Sequence, residues 1–138
     1  MGYAEDMCDI VVDHGGEKVR HFVRVDPDTR EQDVLHTRDD LDWTPDDAEA
    51  VDTELQELVA KPAYEAQLGA ENVTQLIKVA DDLVLFTGFI EDEVVVVSFE
   101  RGVLPALPGM VAEFREYMVD HDIEFTALDA PEDVRAND

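Results

Sequence analysis

The chain has 138 residues and carries 35 Asp and Glu against 10 Lys and Arg, a net charge of −25 at pH 7. Its length fits one ordinary domain, and 45% apolar residues suffice for a core, which excludes a chain disordered by composition. The carboxylates run the length of the sequence with no single acidic block or strip, which argues against a tail for basic partners and against a nucleic-acid mimic.

Residues 3–14 put Met7, Ile10 and Val11 at helical spacing, and Gly15-Gly16 stop the helix. VRHFVRVD and EQDVLHTR then read as two strands joined by the turn Pro27-Asp28-Thr29-Arg30. Closing that loop over two or four residues sets Arg24 against Asp33, Val23 against Val34, Phe22 against Leu35 and His21 against His36. Thr44-Pro45-Asp46-Asp47 starts a second helix, with Thr44 as cap and Ala48, Val51, Leu55 and Leu58 as its one apolar stripe. Pro62 interrupts it, and Ala63–Leu68 form at most one more turn before Gly69.

VTQLIKVA, LVLFTGFI and VVVVSF follow, separated by Asp81-Asp82 and by Glu91-Asp92-Glu93, as an antiparallel meander. Pairing places Ile77, Val79, Val84, Phe86, Val97 and Phe99 on one face, and Leu76, Leu83, Leu85, Phe89, Val94 and Val96 on the other. Both faces are apolar, so the sheet is covered on both sides, by helices or by a partner. Residues 104–121 form a last helix that buries Leu107, Met110, Val111, Phe114, Tyr117 and Met118. The expected fold is α+β, a five-stranded antiparallel sheet with helices on both faces in the order α-ββ-α-βββ-α. Residues 1–125 form its single domain, and 126–138 a flexible acidic tail.

This order, with VRVDPDT ending a strand and LVLFTGFIEDEVVVVSF leading into LPALPGMVAEFREYM, resembles the roadblock family. That family is related to dynein light chains and to regulators of small GTPases, within the wider profilin-like group. The stretch from VRHFVRVD through LHTRDDL to LVAKPAYEAQL is also similar to small uncharacterised haloarchaeal proteins. The roadblock resemblance implies a non-enzymatic platform that dimerises through middle helices and sheet edges and presents a surface to a small GTPase or another regulatory protein. The acidic middle helix (Asp46, Asp47, Glu49, Asp52, Glu54, Glu57) departs from that pattern, and pairs with a second copy only with its charges outward and salt present.

Motifs for chemistry are sparse. His21 and His36, as cross-strand neighbours, would lie near enough to share a metal or to act as a pH switch. No third ligand is fixed by spacing, and two half-exposed strand histidines is the simpler reading; His14 is the next nearest imidazole in sequence. Carboxylate pairs such as Asp39-Asp40 are uninformative among 35. There is no EF-hand spacing, no phosphate loop and no GxSxG around Ser98, the one serine. Cys8 reads as a core thiol, and Arg20, Arg24 and Arg38 are offset by Glu31 and Asp33, so neither nucleophilic catalysis nor nucleic-acid binding is expected.

No apolar run approaches the ~20 residues of a membrane span, and the acidic MGYAEDMCDI lacks the positive charge of a secretory signal; a cytoplasmic protein is expected. Trp43 either staples the middle helix to the sheet or anchors a partner. With Leu76, Phe89, Val94 and Val96 it makes up the candidate partner surface of a homodimer without cofactor or metal. A PAS- or GAF-like small-molecule sensor is the alternative, and it requires a cavity of some hundreds of Å³ that Phe86, Phe99 and Phe114 would otherwise fill. At about 1 M salt the Debye length falls to roughly 3 Å, which screens the self-repulsion of such an acidic surface, so the composition reads as adaptation to concentrated salt.

Overall fold

Helix α1 (Tyr3–Gly15) ends where Gly16 takes φ +53°, a left-handed turn open to glycine without strain. A short 3-10 turn (Gly16–Lys18) leads into β1 (Val19–Val25), which pairs with β2 (Gln32–Thr37). Next come α2 (Pro45–Gln56), β3 (Gln75–Val79), β4 (Leu83–Ile90) and β5 (Glu93–Glu100). A 3-10 stretch (Arg101–Ala106) then feeds α3 (Leu107–Asp120). The computed structural model describes residues 3–26, 28–56, 68–69, 75–90 and 93–121, except for the side chains of Phe89 and Ile90. Leu58, Pro62, the Ala63–Leu68 turn before residue 68 and the tail at 126–138 therefore lie outside the described residues.

The five strands form one antiparallel sheet in the order β2-β1-β5-β4-β3. Since β2 and β3 are the two edges, the chain between them crosses the sheet, and α2 lies on that crossing. The meander register is as expected, with Ile77 opposite Phe86, Val79 opposite Val84 and Phe86 opposite Val97.

The first hairpin differs from expectation. Val23 faces Val34 and Arg24 faces Asp33, but a β-bulge then sets Phe22 against His36 and His21 against Thr37. Leu35 is the extra residue, and one inserted residue shifts every later pair by one. The turn closes over four residues: Asp26 N–H donates to the Glu31 carbonyl at 3.0 Å, and the Asp26 carboxylate accepts from the amides of Asp28 and Thr29. Arg30 takes φ +66° in that turn, which costs a non-glycine residue about 1 kcal/mol. Its guanidinium reaches Asp52 of α2 at 2.8 Å.

Helices α1 and α3 cover the first face. Met7, Ile10 and Val11 from α1, with Met110, Phe114 and Met118 from α3, pack on Val19, Phe22, Val84, Phe86, Val97 and Phe99. Phe86 and Phe114 lie 5.6 Å apart between ring centroids, and each fully buried phenyl contributes roughly 1.5–3 kcal/mol. Cys8 is buried in this layer, and burial first, then Asp9 and Glu5, pushes its thiol up to about 11, so it is an inert core thiol. On the second face Val51 and Leu55 of α2 pack on Val23, Val25, Val94 and Val96. Most of both apolar faces is thus covered from within the chain, the first more thickly than the second, with Ile77 and Val79 of β3 left exposed.

Candidate functional site

Helix α2 starts with a reciprocal cap. The Asp47 amide donates to Thr44 Oγ1 at 3.2 Å, while the Thr44 amide and hydroxyl both donate to the Asp47 carboxylate at 2.9 Å. Burial pushes that carboxyl upward, but the two Thr44 donors, with His21 and Arg20 nearby, together hold Asp47 below the ordinary carboxylate range. Asp46 and Glu49 point to solvent. Glu54 turns inward: its carboxylate accepts from Lys78 Nζ at 2.9 Å and from Thr87 Oγ1 at 3.3 Å. It thereby joins α2 to β3 and β4.

At the start of α2, Trp43 stands edge-on to His21, with ring centroids 5.0 Å apart. Trp43 is half-buried and packs against the Val23–Val51 cluster, so it staples the helix. His21 is buried, its Nδ1 lies 3.3 Å from Thr37 Oγ1, and its Nε2 is 4.0 Å from the Asp47 carboxylate. Beside it, Ala50, Val51, Leu83, Leu85, Val96 and Ser98 line a cavity of about 170 Å³, and the Ser98 hydroxyl is buried there without a partner among the described residues. That volume falls short of the ~300 Å³ at which small-molecule pockets begin. On the other face the three phenylalanines fill the space a sensor would need.

The histidine pair expected from the sequence is not formed. His36 pairs with Phe22, whose side chain belongs to the α1–α3 layer, whereas His21 stands under Trp43 on the α2 side. The bulge at Leu35 separates them, and no spacing rule locates a bulge from one strand alone. Val94 and Val96, counted as candidate partner contacts, are 3% and 4% exposed beneath α2, so they are packed inside the protomer. Leu76 is half-buried on β3, and the Phe89 side chain lies outside the described residues.

Among the described residues the large exposed apolar side chains are Leu68, Val119 and, side by side on the β3 edge, Ile77 and Val79. Ile77 and Val79 are assigned by register to the first face, yet they are 44% and 52% exposed, because α1 packs over β1, β2 and β5 at the far side of the sheet. Their outward position follows from strand order, which the pattern of a meander does not give. Of the carboxylates expected to offset the first-hairpin arginines, Asp33 does so and the other partners lie elsewhere: Arg24 bonds Asp33 and, at 2.9 Å, Glu5, while Arg38 bonds Asp40 at 2.5 Å and Glu100 at 2.9 Å. No helix among the described residues is long and apolar enough to cross a membrane.

Compared with known families, residues 5–119 match the family described as Domain of unknown function (DUF7522). The chain belongs to the DUF7522 family. A comparison with curated proteins finds no match. Among solved structures, the gliding protein MglB from Thermus thermophilus is similar at 14% identity and a TM-score of 0.61, covering 83% of this chain and 87% of that one. An MglB with a tetrameric arrangement is similar at 14% identity and a TM-score of 0.60, covering 83% and 86%. A roadblock/LC7 domain from Streptomyces avermitilis is similar at 16% identity and a TM-score of 0.49, covering 74% and 87%, and adds no weight at that score. The DUF7522 chain therefore has the roadblock-like α+β fold that its sequence resembles, and identities this low carry the fold alone.

Proposed function

We propose that this protein is a non-enzymatic interaction platform, a homodimer joined along β3, that works in the cytoplasm of a salt-adapted cell and docks a regulatory protein of the small-GTPase class. The observation that carries this reading is the β3 edge. A strand edge offers unpaired amides and carbonyls, and soluble monomers guard it with charge, proline or a bulge. Here Ile77 and Val79 face solvent, and the ammonium of Lys78 between them is drawn to Glu54. A second copy laid antiparallel against β3 would satisfy the backbone and cover both side chains, and a two-fold pair is the commonest way for a chain to do so. The tetrameric arrangement of a structurally similar MglB is in keeping with a fold that self-associates. The small-GTPase partner rests on the roadblock resemblance.

Sedimentation at about 2–3 M KCl, where charge repulsion is screened, tests the assembly. A dimer at micromolar concentration is the expected result. A monomer throughout the concentration range would remove the platform as proposed.

A further inference from the structure

Where the last turn of α1 meets α3, three side chains outside the surfaces above converge. His14 Nε2 lies 2.6 Å from Glu113 Oε1, and a ligand atom from each of Asp13, His14 and Glu113 lies within 4.8 Å of the other two. Among the described residues this is the one group of three such side chains that meets so closely. We propose that Asp13, His14 and Glu113 bind one borderline divalent transition-metal ion, of which Zn²⁺ is the type, and so pin α1 to α3.

The geometry needs little change. Donors around a tetrahedral zinc at ~2.0–2.1 Å sit about 3.3 Å apart. His14 and Glu113 would separate by under an ångström, and Asp13, exposed on its helix, would swing in. The backbone beneath is fixed: a Cβ on Gly15 would lie 2.5 Å from Val19 Cγ2, so the end of α1 sits tight against the core. On the other side the His14 ring lies beside the α3 backbone at Gly109, where a Cβ would meet Cε1 and Nδ1 at 3.5 Å in ordinary contact. Glu113 is one turn further along the same helix.

Chemistry selects the ion. A surface of carboxylates in concentrated salt gathers hard monovalent cations without discrimination, whereas an imidazole nitrogen favours zinc, nickel or copper. The incoming ion takes the place of the hydrogen between His14 Nε2 and Glu113 Oε1, and the ligating neutral imidazole carries its proton on Nδ1. Three protein ligands leave the fourth position to water.

Calorimetric titration of chelator-stripped protein with ZnCl₂ in about 2 M KCl tests this, the salt suppressing diffuse binding. One ion per chain is expected. His14→Ala should weaken it by about a hundredfold and Glu113→Gln by about tenfold, while His21→Ala and His36→Ala leave it unchanged. Cobalt substitution should give the visible absorption of a four-coordinate site in the wild type and not in His14→Ala. Asp13→Asn, an isosteric change at an exposed residue, should also weaken binding and keeps the test decisive if His14→Ala does not fold. Absence of saturable binding overturns the proposal. So does binding of equal strength in the Asp13, His14 and Glu113 variants, which would assign it to the general carboxylate surface.

Discussion

At one edge of the sheet β2 is kinked by the Leu35 bulge, carries Asp33 bonded to Arg24 and is tied through Gln32 to the Ala48 carbonyl of α2 at 2.9 Å. At the other, β3 pairs with β4 in unbroken register and turns Ile77 and Val79 to solvent. Both strands are edges by topology, yet only β2 carries the features that prevent another strand from adding to it. The contrast teaches that charge alone does not protect an edge. A chain with net charge −25 has few charges along β3 and spends its one lysine there on Glu54.

The largest effect should come from giving β3 the protection that β2 has. Ile77→Lys with Val79→Lys places two ammonium groups along the strand and opposes two more from a second copy. Dimer affinity should fall by about a hundredfold or more, some 3 kcal/mol, with little change in monomer stability, since both positions are already half-exposed. Sedimentation across a concentration series reads this directly. An unchanged dimer would mean that the chains associate elsewhere, α2 being the next surface to examine.

A smaller effect is expected from Glu54→Ala, which cuts the tie between α2 and the β3 side of the sheet. Thr87 is 1% exposed and loses an acceptor, whereas Lys78 is partly solvated, so the ion-pair share is screened. The cost should be about 1–2 kcal/mol in denaturant unfolding. Amide exchange should quicken in β3 and stay unchanged in β2. Uniform quickening in both strands would show that Glu54 acts on global stability and not on that edge.

Much of this contrast is legible in the sequence, and the missing part has a physical cause. Turn residues and alternation locate the β3–β5 meander and its pairs, because Asp81-Asp82 fixes the β3–β4 register. The first hairpin reads correctly as far as Val23 and Val34 and is lost at Leu35, since a bulge is set by how the sheet must twist rather than by residue type. Alternation puts Ile77 and Val79 on the correct face but implies burial, because it reports a face and not whether a helix extends far enough to cover it. Val94 and Val96 look available to a partner for the converse reason: the reach of α2 over them is a tertiary fact. The convergence of Asp13, His14 and Glu113 joins residues about a hundred positions apart, and in a chain this acidic no local spacing marks it.

The smallest of the expected effects lies at the β2 side, where His21 holds Thr37 beneath Trp43. Burial lowers the His21 pKa, nearby Asp47 opposes that, and Arg20, His36 and Arg38 reinforce it. The folded value therefore lies below the ~6.5 of an unfolded histidine. Between the two values the unfolded chain binds more protons, so stability rises with pH there. The His21 contribution is complete above about pH 6.5 and is lost as pH falls through the lower folded value. Asp47, depressed below its ordinary value, loses its own contribution only at more acidic pH, so the two windows separate. Thermal unfolding at fixed KCl should show a falling midpoint between about pH 7 and 5, and His21→Gln should flatten that slope while leaving the dimer intact. An identical slope in the variant would assign the acid sensitivity to the carboxylates and leave the β2 edge insensitive to pH in that range.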